Sequence, residues 1–123
     1  MKIILSIKPQ YCEEIFAGEK RFEYRRKIFK QSVESVLVYA TSPICKIVGE
    51  FKIDRVLEDT PDSLWQKTSQ YGGISHQLYN EYFHDTDTAY ALVISNYQRY
   101  HQPLDPKVLD RNFVAPQSYR YLE

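Results

Sequence analysis

Residues 5–26, LSIKPQYCEEIFAGEKRFEYRR, place the end of a strand, a short helix and a second strand in immediate succession. The strand begins upstream, because KIILSI at 2–7 is rich in β-branched residues and predicts a buried strand. Pro9 suits the first turn of a helix, where its missing N–H costs nothing, and Gly18 suits a left-handed C-cap. RFEYRR at 21–26 then has strand character again. The chain therefore opens with a strand–helix–strand unit.

The remaining sequence alternates long strand patterns with one pair of helices. Alternating hydrophobicity predicts strands over 33–40, 44–58 and 88–104, with a bulge or bend at Gly49. Helix-start residues predict two helices, from Thr60 to about Tyr71 and from Ser75 over HQLYNEYF. Tyr119 and Tyr121 predict a final strand that docks on the body. The pattern predicts an α+β fold, a small mixed β-barrel with an early short helix and a later helix pair.

Length and composition limit the possible functions. A chain of 123 residues fits a single domain, 1–123, whose tail after about residue 105 has the least regular pattern. The net charge is zero, which favours neither a nucleic acid nor a membrane as partner, but residues 1–30 hold eight Lys/Arg against four Asp/Glu. Eleven of the aromatic residues are tyrosines, which suit both small cores and surfaces that face a ligand.

The sequence predicts no metal, no cofactor and no membrane partner. Neither the two cysteines nor the three histidines have metal-ligand spacing, and no nucleotide-binding or hydrolase motif occurs. Cys12 and Cys45 are expected to be buried free thiols, with one disulfide between them as the alternative. The first apolar run is too short for a signal peptide, and no run is long enough to span a membrane. The expected compartment is therefore cytoplasmic.

The charged run at 20–26 is the main candidate site. Strand alternation places Glu23 and Arg25 on one face, where Lys20 can join them from the turn after Gly18. One interpretation is a solvated strand face with weak ion pairs. The other is a cation-lined pocket for a phosphate or a carbonyl group, in which Glu23 orients the cations or accepts hydrogen bonds from a base.

Other polar side chains are weaker candidates for ligand contacts. Ser6 and Lys8 end the first strand, and Lys8 precedes a helix N-terminus, whose free N–H groups attract anions. Thr41 and Ser42 offer hydroxyl groups in a turn. The C-terminal run offers side chains able to hydrogen-bond to a base or stack on it: Gln117, Ser118 and Tyr119. Ordinary structural roles, such as turns and edge-strand packing, are the more common explanation of each of these residues.

In combination, these features resemble the N-terminal signature of the ASCH domain family in the PUA-like superfamily. The signature is a strand, a short helix and then G-x-K-x-x-E-x-R, matched by Gly18, Lys20, Glu23 and Arg25. The segments YATSPICKIVGEF and TAYALVISNYQRYHQPL resemble later barrel strands of the family. The resemblance implies a small barrel whose cleft is lined by the signature residues. It also implies RNA binding, in some members as coregulators of transcription or translation.

Some members of the family are enzymes, which leaves a hydrolase as the alternative. One similar branch hydrolyses the amide of acetylated cytidine with a lysine and a threonine from one strand and a distant glutamate. This sequence keeps Lys20 but has Glu23 at the threonine position, and near the distant position it has Gly72 and Gly73. Ribonuclease activity is also attributed to relatives. In that case Lys20 would stabilise charge at a phosphate and Glu23 would act as the base.

The sequence therefore favours a domain that binds RNA or a nucleotide without catalysis. Lys20 and Arg25 would contact phosphate or base carbonyl groups, and Glu23 would order them. Tyr39, Tyr119 and Trp65 are candidates for base stacking, although a helical position favours the core for Trp65. A module that binds another protein through a tyrosine-rich surface is the third possibility.

Overall fold

A computed structural model describes residues 1–122 as one curled mixed sheet with three α-helices. The elements, in chain order, are β1 (Lys2–Ile7), α1 (Pro9–Phe16), β2 (Phe22–Arg25), β3 (Ser35–Ala40), β4 (Lys46–Asp59), α2 (Pro61–Thr68), α3 (His76–Tyr82), β5 (Ala89–Leu104) and β6 (Tyr119–Leu122). Short 3₁₀ turns follow α2 and β5. The α+β class and the helix placement predicted from the sequence are confirmed.

The sheet curls into a half-barrel without closing. Its strand order is β2-β5-β4-β3-β1-β6, so β2 and β6 are the two edges. Only the β1–β3 pair is parallel among the described pairs, and β6 runs antiparallel to β1 with Leu5 opposite Tyr119. The prediction that the C-terminal tyrosines belong to a docked strand is confirmed. The sheet therefore stays open between β2 and β6.

The helices begin where the sequence supplies caps. Pro9 occupies the first turn of α1, and Gly18 follows the helix with φ +78°. The Thr60 hydroxyl accepts a hydrogen bond from the Ser63 N–H at the start of α2, and the Ser75 hydroxyl accepts one from the Leu78 N–H at the start of α3. These caps satisfy donors that a helix leaves free at its N-terminus.

Three apolar clusters hold the elements together. The largest lies between α1 and the sheet: Ile3, Leu5, Ile7, Cys12, Ile15, Phe29, Val36, Val38, Ala40, Val48, Phe51 and Leu92. A second joins α2 and α3 to β2 and β5 around Tyr24, Leu64 and Tyr79. A third cluster buries Ile4 and Tyr39 and receives Phe113 from the C-terminal segment. Ile3 and Leu5 thus lie in one cluster and Ile4 in another, so both faces of β1 are covered.

Two local features test the sequence predictions further. The register shifts next to Gly49 in both strand pairs of β4, which confirms the predicted irregularity there. The prediction that both cysteines are buried is right for Cys12 and wrong for Cys45. Cys45 lies in the turn before β4 with φ +54°, where the apolar residues around it in the sequence do not pack over it. No helix in residues 1–122 is long and apolar enough to cross a membrane.

Candidate functional site

A cleft of about 1260 Å³ opens where the two edges of the half-barrel approach each other. The Arg25 Nη2 group at the end of β2 donates a 2.5 Å hydrogen bond to the hydroxyl of Ser118, the residue before β6. This bond joins the two edge strands that the backbone ladder leaves unpaired. The incomplete closure of the sheet therefore creates a concave polar site at its seam.

Lys20 lies buried in the wall of the cleft, with 3% of its surface exposed. Its ammonium donates to the Gly72 carbonyl at 2.5 Å and lies 3.9 Å from Glu23 Oε1. The rings of Tyr11 and Tyr24 each place their centroids 5.1 Å from Nζ. Burial lowers the pKa of Lys20, and the nearby carboxylates of Glu23 and Glu14 partly oppose that shift.

Glu23 and Arg25 form a second buried ion pair beside Lys20. Arg25 Nη1 donates to Glu23 Oε2 at 3.0 Å, and the two residues are 9% and 6% exposed. The Glu23 carboxylate thus lies between two cations, with one oxygen toward each. These exposures exclude a solvated strand face for Lys20, Glu23 and Arg25, whereas Arg21 and Arg26 are exposed.

The alternation of β2 explains how these charges reach the cleft. Tyr24 points into the cluster beneath α2 and α3, where its ring meets Tyr79 edge-on at 5.0 Å, and its hydroxyl shares a 2.7 Å hydrogen bond with Thr68. Glu23 and Arg25, on either side of Tyr24 in sequence, therefore project from the opposite face. Gly72 packs directly on Tyr24, because a Cβ at Gly72 would lie 2.3 Å from the tyrosine hydroxyl oxygen. Because Gly72 has no side chain, its carbonyl can approach Lys20 closely.

The C-terminal segment forms another part of the cleft wall. The Ser6 hydroxyl donates to the Pro116 carbonyl at 2.7 Å, and the Ser6 N–H donates to the Ser118 carbonyl at 3.0 Å. These bonds extend the β1–β6 pairing by one residue and hold 116–118 at the seam. Ser6 therefore contributes by positioning this segment as well as by lining the cleft.

Eight of the ten candidate residues line the cleft: Ser6, Lys8, Lys20, Glu23, Arg25, Thr41, Gln117 and Ser118. The two others do not. Ser42 lies exposed in the turn after β3, and Tyr119 packs edge-on against Phe29, with ring centroids 5.1 Å apart. Tyr39 and Trp65 are likewise absent from the lining and belong to apolar clusters, so the stacking role expected for Tyr39 and Tyr119 has no support in their placement.

Several side chains that complete the site were not predicted from the sequence. Tyr11 from α1 and Tyr82 from α3 line the cleft. Glu14 lies behind Lys20, and its Oε2 is buried with no hydrogen-bond partner among the described residues. A Cβ at Gly73 would lie 3.0 Å from that oxygen, so a carboxylate does come close to the Gly72-Gly73 pair, supplied by α1.

The charge lining the cleft is mixed. Its cations are Lys8, Lys20, Arg25, Arg26 and Lys27, and its acids are Glu23, Glu81, Asp85 and Asp87. The cations come from the basic N-terminal unit, whereas three of the acids come from α3 and the loop that follows it. Within residues 1–122, no group of three or more His, Cys, Asp or Glu side chains is arranged to hold a metal ion.

A family model matches most of the chain, and curated relatives match nearly all of it. The ASCH domain model matches residues 5–98. An ASCH domain-containing ribonuclease of Zymomonas mobilis is 29% identical over 97% of this chain and 82% of its own length. The ATP synthase subunit alpha of Ureaplasma parvum is 33% identical over 98% of this chain, which spans only 15% of that protein.

Similarity in three dimensions is closer than the sequence identity alone indicates. The crystal structure of an ASCH protein from Zymomonas mobilis superimposes with a TM-score of 0.92 at 26% identity. The match covers 99% of this chain and 87% of that one. It therefore includes the C-terminal strand, which lies beyond the residues that the family model matches.

Proposed function

We propose, from the premise that this chain belongs to the ASCH domain family, that it binds single-stranded RNA by admitting a nucleotide to the cleft. Lys20, Glu23 and Arg25 would contact the base or its phosphate. Lys8 and Lys27, which are exposed residues of the lining, would contact neighbouring phosphates. An RNA-binding role as a coregulator of transcription or translation remains part of this proposal.

The burial of three charged side chains in the cleft wall carries the proposal. Removing an ion from water costs several kcal/mol, and a buried ion pair is often no more stabilising than apolar residues of similar volume. The fold therefore gains little stability from the burial of Lys20, Glu23 and Arg25. These side chains instead provide preorganised donors and acceptors inside a concave site. Such groups bind a polar ligand without the cost of ordering flexible side chains.

The mixed charge of the cleft favours contact with few phosphates. Cations and acids line it in nearly equal numbers, so a long polyanion would meet repulsion from the acids of α3 and the following loop. Contacts with two or three phosphates of a single strand would give a log–log salt slope of about −2. Stacking on tyrosine rings would supply affinity that salt does not screen.

The test is binding of a fluorescent RNA pentamer at two salt concentrations. Arg25→Ala should weaken binding about tenfold or more, since a hydrogen bond from a charged group contributes about 1.5–3 kcal/mol. Lys107→Ala is the matched control, because Lys107 is exposed and lies outside the cleft lining. Equal affinity of wild type and Arg25→Ala, with both correctly folded, would remove the basis of the proposal.

A second candidate function is cleavage of RNA at the same site. The Zymomonas mobilis relative is named a ribonuclease, and the lowered pKa of Lys20 is a feature that many catalytic lysines share. Lys20 would stabilise negative charge at the phosphate, and Glu23 would accept a proton. The contact of Glu23 with Arg25 favours binding over this role, because Glu23 Oε2 already accepts a hydrogen bond from Arg25.

Incubation of a labelled RNA ladder with the protein distinguishes the two functions. Cleavage that disappears in both Lys20→Met and Glu23→Gln would establish the hydrolase. Binding without cleavage over a long incubation would leave the binding function alone.

A further inference from the structure

We propose that the cleft recognises uracil, an inference that rests on the proposed RNA-binding function. Lys20, Glu23 and Arg25 form a row in which a carboxylate lies between two cations. Hydrogen-bond donors thus lie on both sides of an acceptor. The Watson–Crick edge of uracil has the complementary order, with the N3–H donor between the carbonyl oxygens O4 and O2.

The row of Lys20, Glu23 and Arg25 keeps hydrogen-bonding groups that a base could use. Lys20 has three N–H donors and gives one to Gly72. Its 3.9 Å separation from Glu23 Oε1 is an ion-pair distance but too long for a hydrogen bond. Glu23 Oε1 therefore accepts no hydrogen bond from any residue in 1–122. Arg25 donates from one nitrogen to Glu23 and from another to Ser118, which leaves further N–H donors of its guanidinium. An acceptor and flanking donors thus remain for a ligand.

The other three bases fit this row poorly. Cytosine would place the N3 lone pair against the Glu23 carboxylate, and guanine, which would donate its N1–H and its amino group to the two Glu23 oxygens, would leave one flanking cation without an acceptor. Adenine lacks a carbonyl oxygen for either flanking donor. Each mismatch leaves a buried polar group unpaired or repelled, which corresponds to a loss of about 10- to 100-fold in affinity.

Tyr11 supplies an aromatic surface next to the row. Its ring centroid lies 5.1 Å from Lys20 Nζ, and both residues line the cleft. A base whose edge meets Lys20 and Glu23 would therefore lie close to the Tyr11 ring. Stacking would contribute to affinity for any base, whereas the row would contribute the preference for uracil.

The direct test compares labelled RNA pentamers that differ only in the central base, with wild-type protein. The pentamer with central uridine should bind at least tenfold more tightly than those with cytidine or adenosine. Central N3-methyluridine, which replaces the N3–H donor with a methyl group, should lose that advantage. Equal binding of all pentamers would overturn the uracil inference and leave the proposed function intact, whereas binding of none would overturn the proposed function itself.

A protein variant tests the assignment to Glu23. Glu23→Gln presents an amide donor as well as an acceptor, so the ratio of uridine to cytidine affinity should fall at least fivefold. Glu58→Gln is the matched control, because Glu58 is exposed and lies outside the cleft lining, and its ratio should equal that of the wild type. An unchanged ratio in Glu23→Gln would contradict the assignment. If that variant does not fold, the N3-methyluridine comparison with wild-type protein decides the question.

Discussion

Replacing Lys20 with methionine should weaken RNA binding strongly and leave the stability of the fold almost unchanged. Methionine has a long unbranched side chain that fills the same space between the rings of Tyr11 and Tyr24. Glu23 keeps Arg25 as its partner, at 3.0 Å, so the substitution leaves no isolated buried charge. Lys20 is therefore the member of the row whose removal disturbs the fold least.

The opposing contributions to stability can be sized from the structure. The attraction between Lys20 and Glu23 at 3.9 Å is about 4 kcal/mol at an effective dielectric constant near 20. The hydrogen bond to Gly72 contributes about 1.5–3 kcal/mol. Desolvation of the buried ammonium costs several kcal/mol and offsets most of this gain. The expected change in the free energy of unfolding is within about 2 kcal/mol of zero.

The contribution of Lys20 to RNA affinity is not offset by a desolvation cost, because its ammonium is already removed from water in the free protein. Loss of a charged hydrogen bond to the ligand should reduce affinity about 10- to 100-fold. Urea unfolding and fluorescence anisotropy with the uridine pentamer measure the two quantities, with Lys107→Met as control. Strong destabilisation of Lys20→Met with unchanged RNA affinity would show the opposite, that Lys20 serves the fold alone.

Three further predictions concern the surroundings of the row. Tyr24→Phe removes the hydroxyl that pairs with Thr68, so urea unfolding should show a loss of about 1 kcal/mol; a loss near zero would show that the bond contributes nothing. Gly72→Ala places a Cβ against the Tyr24 hydroxyl and should cost about 1–3 kcal/mol and weaken RNA binding; wild-type behaviour in both assays would contradict this packing. Burial lowers the pKa of Lys20 from its ordinary 10.5, so above the lowered pKa the unfolded state holds more protons at this site. The stability of wild type relative to Lys20→Met should therefore rise as the pH approaches 10.5, and urea titrations that show a constant or falling difference would contradict the direction of the shift.

The elements that local sequence determines were predicted correctly. The caps at Pro9, Thr60 and Ser75 and the left-handed Gly18 act within a few residues, so β1, α1 and both later helices follow from short patterns. The strand alternation around Tyr24 likewise placed Glu23 and Arg25 on one face. Family resemblance then indicated that this face lines a cleft.

What depends on distant contacts could not be predicted in the same way. The hydrogen-bond partners of Lys20 and Arg25 are Gly72 and Ser118, which lie 52 and 93 residues away in the sequence. Nothing in the charged run itself distinguishes a buried cluster from a solvent-exposed strand edge. Glu14 has the ordinary appearance of an exposed helix residue, yet its Oε2 is buried beside Gly73. Cys45 shows the opposite error, because apolar neighbours in sequence did not ensure burial.

A map of amide chemical shifts during titration with the uridine pentamer locates the RNA on the protein. If RNA binds in the cleft, the largest shifts converge on Tyr11, Lys20, Glu23, Arg25 and Ser118, and they are strongly reduced in Lys20→Met at the same RNA concentration. Shifts concentrated elsewhere, such as on the exposed distal half of β5 around residues 96–102, would contradict binding in the cleft.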